Sequence, residues 1–343
     1  MWGRLPCEVD EPVLSVDAGE RLSLDTVSHE GILEDQGRDP VTFFGGHGIA
    51  ASDVLGDAIA IAAHGTHTPE DGPHVVVGPV MVAGAGVGDY LVVRIDELCP
   101  RAPYGIISSR HGKGVLPERF PANGAPLTSI FCTVDGLEHG VEAARASLPL
   151  AAGRTEGLVR FPIAPFLGIV GVATPGAHRL HSTPPGEHGG NIDVALVREG
   201  STVYLPVQVP GGGLYVGDPH FAQGNGEIAL TALEAPLRAT ITVDVLPRAR
   251  ATELFGGARG PVLKTADHLV PTGMDVDLDE AVAKCARNAI ELLAASFAMD
   301  RELAYAYLSA ATDFDISQVV DVVKGVHARI RLADFAGVDG SPW

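Results

Sequence analysis

Two short glycine-rich stretches, "GEHGGNID" and "GDPHFAQGNGE", gather side chains that suit catalysis or metal binding. These side chains are His188, Asn191 and Asp193 in the first stretch, and Asp218, His220, Gln223 and Glu227 in the second. Runs rich in glycine and proline are typical of loops, which often carry functional groups. Imidazoles and carboxylates suit zinc or a similar divalent ion, and a remaining carboxylate can act as general base on water. The two stretches therefore predict a metal hydrolase, with a solvated hairpin tip as the plainer alternative.

The segment between the two stretches must position them. It reads "STVYLPVQVPGGGLYV" and alternates apolar and polar residues before three glycines and again after them. This pattern predicts a hairpin, which returns its two ends to the same side of a sheet. We therefore expect the carboxylates of Asp193 and Asp218 to lie close enough to share a ligand or an ion.

The end of the second stretch predicts a tight turn followed by a strand. Asn225 stands in "GNG", and both residue types tolerate a left-handed backbone. Glu227 comes two residues later, at the start of an alternating segment. The pleat of a strand would fix the direction of its side chain, as a general base requires.

The rest of the chain is rich in turns. Its 42 glycines and 25 prolines exceed average usage, and "LSVDAGERLSLDTV" and "GPHVVVGPVMVAGAGVGDYLVVRIDEL" each place apolar runs on both sides of a turn. From Asp277 the apolar spacing becomes helical, a second helix is expected after Asp300, and "VHARIRL" predicts a closing strand. The sequence thus predicts a mainly β protein. We expect a β-sandwich or barrel body over residues 1–250 and a smaller α/β portion over residues 251–343.

Composition excludes several classes of function. A net charge of −19 argues against a nucleic-acid partner, and no apolar run is long enough to span a membrane. The four cysteines are far apart, which is typical of reduced thiols in a cytoplasmic protein. The motifs of serine hydrolases, GxSxG, and of P-loop nucleotide binding are absent from the sequence.

Six blocks between about Pro73 and Phe335 carry a resemblance to a known family. They are "GPVMVAGAGVGDYLVV", "PFLGIVGVA", "HGGNID", "GSTVYLPVQVPG", "GDPHFAQGNGEIALTALE" and "AYAYLSAATDFDISQVVD". In this order they resemble the acetamidase/formamidase family. The segments "PRAPYGIISSRHGKG" and "LDTVSHEGILEDQG" are similar to those of a longer subgroup.

The resemblance implies hydrolysis of a small carboxamide, of the formamide or acetamide kind, to a carboxylate and ammonia. It also implies a β-sandwich and barrel body with a small α/β portion. Both glycine-rich loops would line a site for a divalent metal, zinc or alternatively calcium. The expected ligands are Asp193, Asp218, His220 and His188. Glu227 would be the general base, with Asp193 and His220 as further catalytic residues.

Five side chains are candidates for contact with a small amide substrate: Asn191, Gln223, His74, Arg110 and His111. The first two lie in the glycine-rich loops, and His74 precedes an apolar strand. Arg110 and His111 lie in "RHGKG", which would hold the carboxylate end of a substrate, act as a lid or be a solvated basic loop. We also expect a homodimer or higher homo-oligomer.

Two departures from the family pattern leave alternatives open. Asn225 stands where family members commonly have Asp, and "PGGG" stands where they have "PGA". If that Asp is catalytic, this chain is a non-catalytic metal- or ligand-binding β-sandwich. Within catalysis, the alternative substrate is a lactam or another C–N bond. Asp25 and His29, in "LDTVSHEG", either approach the site or lie at a strand end and on the surface.

Overall fold

The computed structural model describes residues 1–151, 157–338 and 342–343, and strands predominate among them. The strands are β1 (Leu14–Val16), β2 (Glu20–Asp25), β3 (Val76–Val82), β4 (Tyr90–Pro100), β5 (Tyr104–Arg110), β6 (Leu127–Asp135), β7 (Arg145–Pro149), β8 (Leu158–Pro162), β9 (Phe166–Val172), β10 (Gly189–Asn191), β11 (Thr202–Pro206), β12 (Leu214–Ala222), β13 (Leu233–Glu234), β14 (Leu237–Leu246), β15 (Val262–Lys264), β16 (His268–Asp275), β17 (Asp313–Gln318) and β18 (Lys324–Arg331). The helices are α1 (Pro40–Gly45), α2 (Gly56–His64), α3 (Arg248–Phe255), α4 (Leu278–Phe297) and α5 (Arg301–Ala311).

The strands form two sheets that pack face to face. The first sheet runs β1-β3-β12-β13-β5-β6-β7-β8, with β9 paired to β12 and β10 paired to β9. The second runs β17-β18-β16-β15-β11-β4-β14-β2. Buried apolar side chains from both sheets meet in one core, for example Val80 and Val170 of the first with Val93 and Ile241 of the second. The prediction of a mainly β protein is confirmed.

The predicted hairpin is wrong, and the two other pairs of apolar runs joined by a turn are not hairpins either. The pairs β1–β2, β3–β4 and β11–β12 each divide their two strands between the two sheets. The segment between the glycine-rich stretches is therefore a crossing between sheets. Alternation of apolar and polar residues does not distinguish a hairpin from a crossing between sheets. In a sandwich each strand buries one face, whether the next strand in sequence pairs with it or lies in the opposite sheet.

A different strand pairing brings the glycine-rich stretches together. Strand β9, from the block "PFLGIVGVA", pairs antiparallel with both β10 and β12. Asn191 lies opposite Ile169, and Gly217 lies opposite the same residue from the other side. The strand β9 thus holds the first stretch against the second, at the level of Gly168.

The C-terminal elements agree with the sequence pattern. Asp277 accepts a hydrogen bond from the Glu280 N–H at 3.1 Å and begins α4, and Asp300 caps α5 in the same way. Strand β18 covers the predicted closing strand and pairs with β16 and β17. The strands β15 to β18 continue the second sheet, and α3, α4 and α5 contribute to an apolar cluster that includes residues of β15, β16 and β18. The division at residues 250 and 251 stays a prediction.

Two short helices, α1 and α2, lie in an N-terminal region where no helix was predicted. Asp39 caps α1 through the N–H groups of Val41 and Thr42, and Pro40 occupies its first turn. Neither helix, nor any other among the described residues, has the length and apolar character needed to cross a membrane. All four cysteines are free thiols, in agreement with the expectation from their spacing.

We predict that Gly273→Ala destabilises the fold. A Cβ at Gly273 in β16 would lie 2.3 Å from the Ala281 carbonyl oxygen and 2.3 Å from the Cys285 nitrogen, both backbone atoms of α4. Overpacking of this kind costs about 1–3 kcal/mol. The free energy of unfolding, measured in denaturant, should fall by at least about 2 kcal/mol.

The matched control is Gly56→Ala, at the first position of α2, where a Cβ meets no atom within 4 Å. It should leave stability unchanged or slightly raised, because alanine is the better helix former. Equal free energies of unfolding for the two variants would show that close packing of α4 against Gly273 does not contribute to stability.

Candidate active site

A cavity of about 630 Å³ opens above the first sheet. Its wall includes His29 from the segment after β2, His74 from the segment before β3, and Asp218 from β12. Glu227 from the turn after β12 and Glu234 from β13 complete this part of the wall. All five side chains are buried. Buried ionisable groups are rare unless they are paired or hold a ligand, so their convergence marks a functional site.

Asp218 lies at the centre of the group. Its Oδ2 is 3.0 Å from His220 Nε2, while its Oδ1 is 3.5 Å from His29 Nδ1 and 3.7 Å from His74 Nε2. Burial opposes ionisation of this carboxyl, but its interactions with His74 and His220 outweigh burial and hold its pKa well below the usual range. Burial lowers the pKa of His74 itself to about 4, so the positive charge near neutral pH comes from His220 and His29, whose pKa values are raised. Asp218 is therefore an anion surrounded by three imidazoles.

His220 forms the inner part of the site and is inaccessible to solvent. Its Nε2 lies 3.0 Å from Glu234 Oε1, and its Nδ1 lies 3.9 Å from Asp193 Oδ1. Burial lowers the pKa of His220, but the charges of Glu234 and Asp218 exceed that effect and raise it well above its usual value. The inner part thus alternates carboxylates and imidazoles within a few ångströms.

Three of the site carboxylates lie on strained backbone. Asp193, Asp218 and Glu227 have φ angles of 46°, 48° and 47°, in the left-handed region that residues other than glycine seldom adopt. Such a conformation costs on the order of 1–3 kcal/mol per residue and persists only where the surrounding structure enforces it. Its occurrence at three site residues indicates that the carboxylate directions matter to function.

A glycine leaves room for the cluster. A Cβ at Gly168 in β9 would lie 2.6 Å from Asp193 Oδ1, 2.7 Å from Asp218 Oδ2 and 2.9 Å from His220 Cε1. Its φ is not in the left-handed region, so the requirement for glycine here is spatial. The absent side chain at Gly168 therefore lets the two glycine-rich stretches place their polar groups side by side.

The remaining carboxyl groups favour protonation. Burial, reinforced by the charges of neighbouring carboxylates, raises the pKa values of Asp193 and Glu227 well above their usual range. Burial likewise raises the pKa of Asp321 to about 7; this side chain accepts a hydrogen bond from Asn191 at 3.0 Å. The cluster contains more acid than its imidazoles can balance, and a cation would supply the missing positive charge.

The donor atoms fit a divalent ion. Three groups place one ligand atom per residue within 4.8 Å of one another: Asp193, His220 and Glu227; Asp218, His220 and Glu234; and His29, His74 and Asp218. Several of these atoms are buried and have no hydrogen-bond partner, including both oxygens of Asp193, Nδ1 of His220 and Oδ1 of Asp218. Imidazole nitrogens and carboxylate oxygens left unpaired in this way are the ligands that zinc prefers.

The structure brings together most of the residues singled out from the sequence. Asp193 and Asp218 each have a carboxylate oxygen within 4.8 Å of a His220 nitrogen, as expected from the shared-site hypothesis. His74, Asn191 and Arg110 line the same cavity. Arg110 is held there by ion pairs to two acidic side chains, Glu30 at 3.3 Å and Asp35 at 2.6 Å.

Three other candidates lie elsewhere. His188 lines a separate pocket, and its Nε2 has no hydrogen-bond partner. The Nε2 of Gln223 donates to the backbone oxygens of Asp193 and Ser317 at 2.9 and 3.1 Å, so this side chain ties loops together. His111 is exposed and outside the cavity wall.

The turn after β12 differs from the prediction. Glu227 does not begin a strand but lies in the turn, where the left-handed backbone falls on Gly226 and Glu227 rather than on Asn225. Asn225 is exposed and outside the wall of the main cavity. The alternation after Glu227 predicts a strand from that residue on, but "GEIALTALE" joins the sheet only at Leu233.

Sequence reasoning missed two carboxylates and left one histidine open. Glu234 and Asp321 are the last residues of two of the resemblance blocks, "GDPHFAQGNGEIALTALE" and "AYAYLSAATDFDISQVVD". Both line the cavity, yet nothing in their spacing separates them from surface acids. His29, for which two interpretations stood, is 3% exposed and lies in the cavity wall.

This fold and this buried carboxylate–imidazole cluster define a β-sandwich protein whose buried side chains are of the types that bind divalent ions. Residues 172–332 match the model of the acetamidase/formamidase family, which confirms the resemblance. The chain is 34% identical to a formamidase of Methylophilus methylotrophus over 164 residues, covering 43% of this chain and 39% of that protein. It is 30% identical to an acetamidase of Mycolicibacterium smegmatis over 203 residues, covering 45% of this chain and 49% of that protein.

A solved structure is similar over nearly the whole chain. An acetamidase from Bacillus halodurans has a TM-score of 0.74 and 25% identity, with 98% of each chain covered. A second, a predicted acetamidase/formamidase from Thermoanaerobacter tengcongensis, has a TM-score of 0.73 at 24% identity and supports the fold alone. The chain spans about half the length of the curated relatives it matches.

We predict that Gly168→Ala disrupts the donor cluster. The added methyl group would displace the carboxylates of Asp193 and Asp218, so the affinity for zinc should fall at least tenfold, in the range seen when ligand orientation is disturbed. Calorimetric titration of metal-free protein measures this affinity.

Gly224→Ala is the control, because that glycine is exposed and a Cβ there meets no atom within 4 Å. It should bind zinc as the unmodified protein does. Unchanged affinity in Gly168→Ala would mean that Asp193 and Asp218 do not hold the ion together.

Proposed function

We propose that this protein hydrolyses a small linear carboxamide, of the formamide or acetamide kind, to a carboxylate and ammonia. The observation that carries the proposal is the buried donor cluster around His220, which joins it to Asp193 and Glu227 and to Asp218 and Glu234 beside a cavity of about 630 Å³. These residues lie within the part of the chain that matches the acetamidase/formamidase family, and its relatives include proteins named formamidase and acetamidase.

The proposal includes a divalent ion, with zinc as the best fit to the donor set. Asp218, His220 and Glu234 would hold it, with Asp193 adjacent. A bound divalent ion polarises a carbonyl group and lowers the pKa of water. Glu234 replaces His188 in the ligand set expected from the sequence, because His188 lies in another pocket.

Glu227 has the properties of the proton carrier in this reaction. Burial and the charges of Asp321 and Glu234 raise its pKa well above the usual value, so it holds a proton well once it has taken one. A cation bound beside it would favour the ionised form in which it acts as a base. Glu227 would take a proton from the attacking water as the C–O bond forms. It would then give that proton to the amide nitrogen as the C–N bond breaks and ammonia leaves.

The cavity wall offers groups for orienting the substrate. Asn191 and Arg110 face the cavity, and the Asn191 Oδ1 is buried without a hydrogen-bond partner. An amide N–H is a suitable donor to that oxygen. Lys113, on the same wall, adds a positive charge. A cytoplasmic location and a homo-oligomeric state stay predictions from the sequence.

We predict that purified protein releases ammonia from formamide or acetamide, and that chelation abolishes this release. Re-addition of zinc should restore ammonia release, because the side chains of the site cannot replace the positive charge that the ion supplies. An enzyme-coupled ammonia assay gives the rate, and a panel that adds lactams tests the alternative substrate. Full activity in metal-free protein would contradict the metal dependence.

A second prediction concerns Glu227. Glu227→Gln should lower kcat/KM for the amide by at least ~10²-fold, the usual contribution of a general base, while the zinc content stays unchanged. Asn225→Asp is the matched variant, since Asn225 is exposed and outside the main cavity wall. It should change kcat/KM by less than about tenfold, or ~1.4 kcal/mol.

Activity that appears only in Asn225→Asp would instead place the catalytic carboxylate at position 225. The natural protein would then be a binding protein.

A further inference from the structure

Two sets of metal-binding donors share the carboxylate of Asp218. One set joins Asp218 to His220 and Glu234, and the other joins it to His29 and His74. The two sets approach different oxygens, because His220 faces Oδ2 while His29 and His74 face Oδ1. A carboxylate that presents one oxygen to each of two donor sets has the arrangement of a bridge between two cations.

The distances in the second set are those of ligands around an ion. His29 Nδ1 and His74 Nε2 lie 3.5 and 3.7 Å from Asp218 Oδ1, beyond the range of a good hydrogen bond. Ligands bound tetrahedrally at ~2.1 Å lie about 3.4 Å from each other. His29 Nδ1 and Asp218 Oδ1 are also buried without hydrogen-bond partners.

In both histidines the ring nitrogen that points away from Asp218 already has a polar partner. His29 Nε2 lies 3.3 Å from Glu30 Oε1, and Glu30 is in turn fixed by the Ser108 hydroxyl, which donates to it at 2.7 Å. His74 Nδ1 lies 3.1 Å from the Ser182 hydroxyl. Histidines that bind metals usually have such a partner on the second nitrogen, which fixes the ring and directs the first nitrogen to the ion.

The second set lies on the substrate side of the site. His29, His74 and Asp218 are all part of the cavity wall, whereas His220 of the first set lies behind it. An ion held by the second set would therefore be accessible from the cavity, and the ion at His220 would lie deeper.

From these contacts we propose a second divalent cation site formed by His29, His74 and Asp218, so that the centre holds two ions bridged by Asp218. Hydrolases use such pairs, with ions about 3.5–4 Å apart, to stabilise both the attacking and the leaving atoms. The catalytic meaning of the second ion rests on the proposed amide hydrolysis. The site itself rests on the geometry of its donors.

Metal counting tests the site without reference to activity. Metal-free protein is reloaded with excess Mn(II), freed of unbound ion by gel filtration, and measured by mass spectrometry and electron paramagnetic resonance. The unmodified chain should hold two ions with an exchange-coupled spectrum. His74→Asn should hold one ion with the spectrum of an isolated Mn(II). A chain that saturates at one ion, or a variant that still holds two, overturns the proposal.

Two further variants separate ligand loss from misfolding. Ser182→Ala keeps the His74 ring but removes its outer partner, and should weaken the second ion about 10–100-fold while the first remains. His139→Asn is the control, because His139 is exposed and lies in the short helical turn after β6; it should keep both ions. If His74→Asn fails to fold, the number of bound Mn(II) ions and their exchange coupling in the unmodified chain decide whether the second site exists.

The ammonia assay on the same samples distinguishes this inference from the proposed function. An active protein with one ion would refute the second site and leave amide hydrolysis standing. A protein with two coupled ions that hydrolyses no amide would support the second site and refute the function.

Discussion

The burial of many ionisable groups at one point is the constraint on which this structure depends. Removing carboxylates and imidazoles from water is unfavourable by several kcal/mol per ion unless each finds an opposite charge at close range. Asp218 meets this requirement by facing His29, His74 and His220 at once. Because these partners come from widely separated parts of the chain, the whole fold serves to hold them in place.

Backbone strain and close packing in the scaffold fix the positions of these side chains. The left-handed backbone at Asp193, Asp218 and Glu227 would relax in a mobile loop, so it needs the firm pairing of β9 with β12 beneath it. Gly168 lies at the midpoint of that pairing and leaves the space that the carboxylates fill. The second sheet adds to the cavity wall through Asp321, in the connection between β17 and β18, and through Lys324 of β18.

The sequence predicted the residue types of the site better than it predicted which strands pair. The donors of the two glycine-rich stretches were predictable because the residue types declare their chemistry, and the helix starting after Asp277 was predictable from its cap and spacing. The partners of β1, β3 and β11 were not, since period-two alternation reports burial of a face and not the identity of the neighbouring strand. Glu234 and Asp321 were missed for a related reason: a lone acid reaches the cavity wall only through contacts distant in sequence.

The crossings between sheets have a consequence for how the chain matures. Since β1 and β2, β3 and β4, and β11 and β12 are divided between the sheets, neither sheet can be completed while the other is open. Contacts such as that of the Thr26 hydroxyl with the Leu237 carbonyl, 211 residues apart, close only when most of the chain has been synthesised. Folding dominated by such distant contacts is slow. The carboxylate–imidazole cluster is therefore among the last features to form, and a nascent chain remains without it until the fold is complete.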